Sequence, residues 1–212
     1  MKVLILGAGG KTGRLVVEKA LASGHDVTVL VHTPEDDTQH QPTFPATVQV
    51  FHGDVRNPTK LDQAMQGQQA VVDTIGGKKP FLNTDLETSA VKVVIDVMKR
   101  NQVKRLIVVS ALGEGESKAQ TSFFYEHLLM PIFLRGILPD KANMESEVEH
   151  SGFDFIIVRP SILKDSEDTG KTHVAPKGEI AHTITRAGLA QFLVDQLTQD
   201  QYLGQAVTLT DQ

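Results

Sequence analysis

Three glycines spaced three residues apart open the chain and point to dinucleotide binding. Gly7, Gly10 and Gly13 follow the apolar run 3–6, and a helix is predicted from Lys11 onward. A strand that turns through glycines into a helix presents backbone N–H groups and the positive end of the helix dipole to a pyrophosphate. Gly7 allows the tight turn, Gly10 the close approach to phosphate, and Gly13 the packing of helix on strand. The predicted cofactor contacts are Gly7, Ala8, Gly9, Gly10, Lys11, Thr12 and Gly13; the alternative is a structural turn without a ligand.

The end of the next apolar run, 26–31, bears on the choice of cofactor. NAD-specific sites often place a carboxylate about 20 residues after the glycine loop, where it accepts hydrogen bonds from the ribose hydroxyls. This chain has His32 and Thr33 there, and Lys11 adds a positive charge from the glycine loop. An Asp would repel a 2′-phosphate, whereas His or Thr can face one, so the sequence favours NADP(H) over NAD(H). The acidic run 35–37, and a solvated role for His32, argue against this preference.

Two further loops are expected to contact the cofactor. Asp54 follows the third apolar run, where it is placed to accept a hydrogen bond from the adenine amino group while Val55 packs on the ring. The alternative for Asp54 is a helix cap or an Asx turn. Ile75, Gly76 and Gly77 follow the fourth run, and small residues there let the backbone approach the ribose or simply form a glycine turn.

Alternating strands and helices must position these loops. Apolar patterning predicts strands at 2–6, 26–31, 47–51, 70–75, 105–109, 155–158, 179–181 and 206–209, and helices at 11–22, 58–65, 82–99, 121–136, 140–150 and 185–197. This alternation predicts an α/β fold, a doubly wound and mostly parallel sheet with a small C-terminal cap on the substrate side. Ligands bind beyond the carboxyl ends of the strands in such sheets. We expect one domain over 1–212, with 160–205 as its substrate-side subregion.

Composition argues against several classes of protein. The net charge of −5 argues against nucleic-acid binding, and the absence of cysteine excludes disulfides, thiolate catalysis and Cys-bound zinc. The histidines lack metal-ligand spacing, so no metal site is expected. No run approaches the roughly 20 apolar residues of a membrane span, and the N-terminus lacks a signal-peptide pattern. We therefore expect a cytoplasmic protein that is a monomer or a homodimer. We expect it to act on a small molecule and not to bind membranes.

Taken together, the motifs resemble the atypical short-chain dehydrogenase/reductases, in the NmrA-like group that includes the flavin and biliverdin-IXβ reductases. The matching segments are the glycine loop, 53–55, the glycines after 75, Ser110-Ala111, 140–145 and 151–160, of which the last is the most specific. The resemblance implies a Rossmann fold that binds NAD(P), with Pro160, Ser161 and Ile162 approaching the nicotinamide.

The resemblance also implies a catalytic group that this chain has only in part. The family's reductases use a Ser and a Tyr-x-x-x-Lys pair, in which the Lys lowers the pKa of the Tyr and holds the ribose. Ser110 and Lys141 match, and with Ala111 they are expected at the cofactor, but the Tyr position is Ile137. Candidate acids are then Tyr125, His127 or water; alternatively, both side chains only pack or face solvent.

The sequence therefore predicts an oxidoreductase that passes hydride from NADPH to a small planar acceptor. Flavins and quinones fit, because solvent can supply the proton. The alternative is an NmrA-like protein that binds NAD(P) and changes its affinity for a partner without turnover. The missing Tyr disfavours an epimerase or isomerase.

Overall fold

The computed structural model describes residues 1–32, 42–76, 84–113, 115–121, 136–166 and 170–212. The strands in these ranges are β1 (Lys2–Leu6), β2 (Asp26–Val31), β3 (Gln49–His52), β4 (Ala70–Asp73), β5 (Arg105–Val109), β6 (Asp154–Pro160), β7 (Ile162–Lys164), β8 (Thr172–Val174), β9 (Thr183–Thr185) and β10 (Gln205–Asp211). The helices are α1 (Lys11–Ala22), α2 (Pro58–Met65), α3 (Leu86–Asn101), α4 (Leu138–Glu149) and α5 (Arg186–Asp195), with a 3-10 helix at Gly115–Gln120.

A single eight-stranded sheet organises the molecule, in the order β3-β2-β1-β4-β5-β6-β10-β8. Its strands are parallel except β8, which pairs antiparallel with β10, while β7 and β9 form a separate parallel pair. Leu6 lies opposite both Leu30 and Asp73, and Val109 lies opposite Val158. The parallel strands therefore end along one edge of the sheet, where the predicted cofactor loops begin.

Side chains of the sheet alternate between two apolar cores. Along β1, Val3 and Ile5 face the core covered by α1 and α5, whereas Leu4 and Leu6 face the core covered by α2, α3 and α4. All four are fully buried, as expected of a central parallel strand with helices on both faces. The predicted doubly wound α/β fold is confirmed. Within the described residues, none of the helices has the length and apolarity needed to cross a bilayer.

Capping side chains explain why several helices begin where they do. Asn57 accepts hydrogen bonds at Oδ1 from the backbone N–H groups of Thr59, at 3.1 Å, and of Lys60, at 3.2 Å. Pro58 then occupies the first helical position, which needs no N–H donor. Thr185 caps α5 in the same way, because its Oγ1 accepts from the N–H of Gly188 at 3.0 Å.

Some predicted boundaries are wrong. β4 ends at Asp73 rather than 75, because the Asp73 carboxylate accepts a hydrogen bond from the N–H of Ile75 at 2.8 Å and turns the chain. α3 begins at Leu86 rather than 82, and Leu86 N–H donates to the Thr84 hydroxyl at 3.0 Å. β3 spans Gln49–His52 instead of 47–51, and β9 spans Thr183–Thr185 instead of 179–181. The ends of α4, α5, β6 and β10 differ from prediction by one or two residues, and β7, β8 and the 3-10 helix are additional elements. Most of the predicted helix 121–136 lies outside the described residues.

The predicted substrate-side subregion, 160–205, contains two different kinds of structure. The β7–β9 pair lies outside the main sheet. α5 instead contributes Leu189 and Leu193 to the core that it shares with α1. The division of the chain at this point stays a prediction.

Candidate cofactor-binding site

The glycine loop between β1 and α1 is shaped by two close backbone contacts. A Cβ atom at Gly7, whose φ is +73°, would lie 2.7 Å from the carbonyl carbon of Thr74. A Cβ at Gly13 would lie 2.3 Å from the carbonyl oxygen of Gly7. Real Cβ atoms do not approach other atoms so closely, so the fold itself requires glycine at both positions. Gly10 closes the turn by donating its N–H to the carbonyl of Gly7 at 3.0 Å.

The first turn of α1 is left open for an anion. Gly10 occupies the N-cap in an extended conformation, provides no capping side chain, and no acidic residue lies in the first turn. The first N–H groups of a helix have no partner within the helix, and they carry the positive end of its dipole. Gly9 and Gly10 are exposed, so a ligand can reach these N–H groups. The loop therefore fits a pyrophosphate, and its contacts with a cofactor stay predictions.

The loop after β3 holds an ion pair that sequence reasoning missed. Arg56 donates to the Asp54 carboxylate from Nη2 at 2.6 Å and from Nε at 3.0 Å, and its backbone N–H donates to Oδ1 at 2.8 Å. The last bond is an Asx turn, which was the alternative for Asp54. The hydrogen bond from the Arg56 side chain holds the pKa of Asp54 below its usual value. Arginine two residues after the aspartate was the available signal.

The other predicted adenine-side residues are placed as follows. His32 is exposed at the end of β2, and Val55 is buried in the core beside α2. Thr33 lies outside the described residues. The adenine contacts of Asp54 and Val55 stay predictions.

Gly76 differs from the glycines at 7 and 13, because nothing in its described surroundings requires glycine. It is exposed, no described atom lies within 4 Å of the position of an added Cβ, and its φ is not positive. Ile75 before it is half-buried, and Gly77 lies outside the described residues. An open position without a side chain beside the glycine loop fits the close approach of a ribose.

Two buried serine hydroxyls lie at the ends of neighbouring strands. Ser110 follows β5 and Ser161 follows β6, with exposures of 3% and 4%. Neither hydroxyl has a hydrogen-bond partner in the described part of the chain. Buried polar groups are normally satisfied, so these two hydroxyls are available to a ligand. Of the other residues predicted in these loops, Ala111 is half-buried, Pro160 is buried and Ile162 is exposed.

Lys141 reaches the end of β5 from α4, but a carboxylate holds it. Its Nζ donates to Oε2 of Glu87 at 2.6 Å, with the two side chains 8% and 3% exposed, and to the carbonyl of Val109 at 3.4 Å. Its backbone N–H donates to the carbonyl of Ile137 at 3.0 Å, which places Ile137 one helical turn earlier. Sequence reasoning missed Glu87, whose only signal was an acid in the first turn of α3.

Asp73 adds a second buried carboxylate at the end of β4. Burial raises the pKa of Asp73 to about 7, and the charge of Glu87 raises it further, whereas the Ile75 N–H and the charge of Lys141 oppose this. The positive charge of Lys141 therefore acts on two buried carboxylates, Glu87 through an ion pair and Asp73 at longer range. The missed signal in the sequence was Asp73 at the end of the apolar run 70–72.

Asp140 connects α4 to the start of α3. Its carboxylate accepts from the N–H groups of Glu87, at 3.0 Å, and Thr88, at 2.8 Å, and from the Thr88 hydroxyl at 2.6 Å. It is 2% exposed and caps a helix that Asp85, at the N-cap position, does not cap through its own side chain. Adjacent residues of α4 thus fix the first turn of α3 by a cap and an ion pair.

Arg159 makes a second buried ionic connection at this end of the sheet. Its Nη2 donates to Oε2 of Glu145 at 2.6 Å, and both side chains are almost fully buried. Its Nη1 reaches Oε1 of Glu116 at 2.6 Å, and the Glu116 side chain is 74% exposed. One arginine therefore ties β6 both to α4 and to the 3-10 helix.

The structure describes one of the two tyrosines, Tyr202, which is not among the predicted acids. Tyr202 packs against Phe192 with ring centroids 5.7 Å apart, before β10 and therefore away from the carboxyl ends of the strands. Tyr125 and His127 lie outside the described residues. Among the residues that are described, no group of three or more His, Cys, Asp or Glu side chains is placed to hold a metal ion.

Comparisons with known proteins agree with this geometry. A family model described as NAD(P)H-binding matches residues 7–200. UPF0659 protein YMR090W of Saccharomyces cerevisiae is 28% identical over 207 residues, covering 93% of this chain and 87% of the yeast protein. ChuY, an anaerobillin reductase from Escherichia coli O157:H7, has a TM-score of 0.78 at 26% identity, covering 100% of this chain and 97% of that structure. A short-chain dehydrogenase/reductase from Veillonella parvula DSM 2008, solved in complex with NADP, has a TM-score of 0.82 at 16% identity, with 99% and 94% covered, and is similar in fold.

Proposed function

The chain belongs to the NAD(P)H-binding family, and from this membership we propose that it is a reductase that transfers hydride from NADPH to a small planar acceptor such as a flavin or a quinone. The resemblance to NAD(P)-binding reductases is confirmed by the family match and by the anaerobillin reductase among its structural neighbours. The observation that carries the proposal is the uncapped first turn of α1, at the strand edge where the open Gly76 also lies.

The residues present fit a dinucleotide laid across the strand ends. The N–H groups at the start of α1 would hold the pyrophosphate, and the backbone at Gly76 would lie against a ribose. The free hydroxyls of Ser110 and Ser161 would bind polar groups at the nicotinamide end. When bound, the reduced nicotinamide supplies the hydride.

The proposed class of acceptor follows from the chemistry of Ile137 and Lys141. Ile137 has no proton to give, and the Lys141 ammonium is engaged by Glu87. A carbonyl substrate needs an acid beside the forming alkoxide. A flavin or quinone does not, because its reduced form takes its proton from solvent. Ser110 and Lys141 then position the reactants, with Tyr125 kept as a candidate acid.

We further propose that NADPH is preferred over NADH. His32 is exposed at the end of β2, and no carboxylate occupies that position to repel a 2′-phosphate. A protein of the same fold from Veillonella parvula was solved in complex with NADP. Titration of the protein with NADPH and with NADH should give a lower Kd for NADPH, and His32→Asp should reverse the order. Equal affinities in the original protein would contradict the preference.

The alternative function is NAD(P) sensing without turnover, and it is favoured by Ile137 at the Tyr position and by the ion pair of Lys141 with Glu87. A chain with Ile137 in place of an acid, and with Lys141 held in a buried ion pair, can bind a cofactor without reacting. Sensing predicts a change in affinity for a partner protein on cofactor binding. It predicts no acceptor-dependent oxidation of NADPH.

Oxidation of NADPH, followed by absorbance with FMN or menadione as acceptor, tests the proposal. We expect acceptor-dependent turnover, and loss of NADPH binding in Gly76→Val with the folded state retained. Gln201→Val, which places the same side chain at an exposed turn before β10, is the control and should bind NADPH as the original protein does. Binding without turnover would refute the reductase and support sensing. The cytoplasmic location and the choice between monomer and homodimer stay predictions.

A further inference from the structure

Asp165 brings a carboxylate to the start of two helices at once. Its Oδ2 accepts from Nζ of Lys11 at 2.6 Å, and its Oδ1 pairs with Nη1 of Arg186. Lys11 is the first residue of α1, in the glycine loop, and Arg186 is the first residue of α5. The side chains of Lys11 and Asp165 are 73% and 53% exposed, whereas that of Arg186 is 21% exposed.

The topology of the chain places this carboxylate where it is. β7 pairs with β9 in parallel, with Lys164 opposite Thr185, so residue 165 lies beside the start of α5. α5 and α1 pack together in one core. The loop after β7 is therefore held beside the glycine loop, although 154 residues separate Asp165 from Lys11 in the sequence.

The electrostatics of the two helix starts differ. Thr185 caps α5 with its hydroxyl, whereas α1 has no capping side chain and no acid in its first turn. Asp165 supplies a negative charge at this otherwise open helix start. The hydrogen bond from Lys11 lowers the pKa of Asp165, so this carboxylate is ionised at neutral pH.

We propose that Asp165 sets the affinity of the cofactor site, because its carboxylate competes with the pyrophosphate for Lys11 and passes to Arg186 when the phosphate binds. This inference rests on the proposed function, since it requires a dinucleotide at the glycine loop. Arg186 makes the exchange possible, because Asp165 keeps one cationic partner after Lys11 turns to the phosphate.

The strength of the effect follows from the exposure of the pair. An exposed ion pair changes an equilibrium constant by roughly two- to fivefold, and salt weakens it. Asp165→Asn should therefore lower the Kd for NADPH about two- to fivefold at low salt, and less at high salt. Arg186→Gln should raise the Kd, because Asp165 then has no partner other than Lys11.

A double-mutant cycle, read out by NADPH fluorescence titration, tests the exchange. Asp165→Asn combined with Arg186→Gln should bind as tightly as Asp165→Asn alone, because Arg186 acts through Asp165. In a Lys11→Gln background, Asp165→Asn should have a smaller effect. Glu147→Gln is the control: it breaks the exposed ion pair between Lys92 of α3 and Glu147 of α4, whose atoms are 3.2 Å apart, and should leave the Kd unchanged.

The outcomes separate this inference from the proposed function. If the original protein binds no NADPH, the proposed function fails. If it binds, and Asp165→Asn leaves the Kd unchanged or raises it, the competition is refuted. If Arg186→Gln weakens binding equally with and without Asp165, Arg186 contacts the cofactor directly and the exchange is refuted. Hydrogen exchange of the backbone amides of residues 162–166 gives a second readout. Its rate should be higher with NADP than without it, because binding removes the contact between Lys11 and Asp165.

Discussion

The two halves of the strand-end edge are built by different means. At the ends of β1 to β3 the surface is shaped by backbone, with Gly7 and Gly13 in close contact and an open helix start. At the ends of β4 to β6 it is underlain by buried charge, where Glu87 pairs with Lys141 and Glu145 with Arg159. The first half leaves hydrogen-bond donors free for a ligand, whereas the second uses its ionic groups mainly on one another.

This difference separates recognition from positioning. Backbone donors bind phosphate without any side chain that must be held in place. Side chains that act on a substrate need support from their neighbours, and buried charges require partners. The ionic half therefore holds α3 and α4 in place around the strand ends, and the backbone half offers free donors to the proposed cofactor.

Gly13→Val should have the largest effect and would break the backbone half. Its Cβ would lie 2.3 Å from the Gly7 carbonyl oxygen, so α1 has to move away from β1. We expect a loss of stability of roughly 4 kcal/mol or more, or no folded protein, measured by denaturant unfolding. Ala22→Val, at the exposed end of the same helix, is the control. A Gly13→Val protein with the original stability would contradict the described loop.

Glu145→Gln tests the ionic half, with an internal control on the same arginine. Removal of the Glu145 charge leaves the Arg159 cation buried with a neutral partner, which costs about 3 kcal/mol of the free energy of unfolding. Glu116→Gln removes the other carboxylate, whose side chain is 74% exposed, and should cost less than about 1 kcal/mol. Equal losses of stability in Glu145→Gln and Glu116→Gln would contradict the larger contribution expected of the buried ion pair.

Asp73→Asn should have a smaller effect, seen as a change in pH dependence. Because the folded-state pKa is raised to about 7, the native state holds a proton that the unfolded state releases above about pH 4. The stability from this group is present below that pH and is lost as the pH rises through 7. Unfolding free energies should show about 2 kcal/mol less decline between pH 5 and 7 in Asp73→Asn than in the original protein. Parallel pH curves would contradict the raised pKa.

The backbone half was largely predictable from sequence. Of its elements, β1, α1, β2 and α2 have the predicted bounds, because each is a local pattern of apolar residues beside a glycine, an asparagine or another polar residue, whereas the ends of β3 differ from prediction by one or two residues. In the ionic half, β5 also has its predicted bounds. The glycine loop is also contiguous, so its geometry follows from a few neighbouring residues. The contacts that these residues make with a cofactor stay predictions.

The ionic half was not predictable, because its partners are far apart in the chain. Lys141 and Glu87 are 54 residues apart, and Arg159 and Glu116 are 43 residues apart. A sequence shows that each charge is present but not which opposite charge it meets. The segments 77–83 and 122–135, which contain Gly77 and Tyr125, lie outside the described residues, so predictions there stay open.

The cap that Asp140 places on α3 also has a consequence for the order of folding. The loop at Gly7 closes over three residues, whereas the amides of Glu87 and Thr88 wait for a carboxylate 53 and 52 positions later. Contacts between distant residues form late, because chain entropy opposes closing long loops. The first turn of α3 is thus completed only when α4 docks. Hydrogen exchange at these two amides reports each time that α4 detaches.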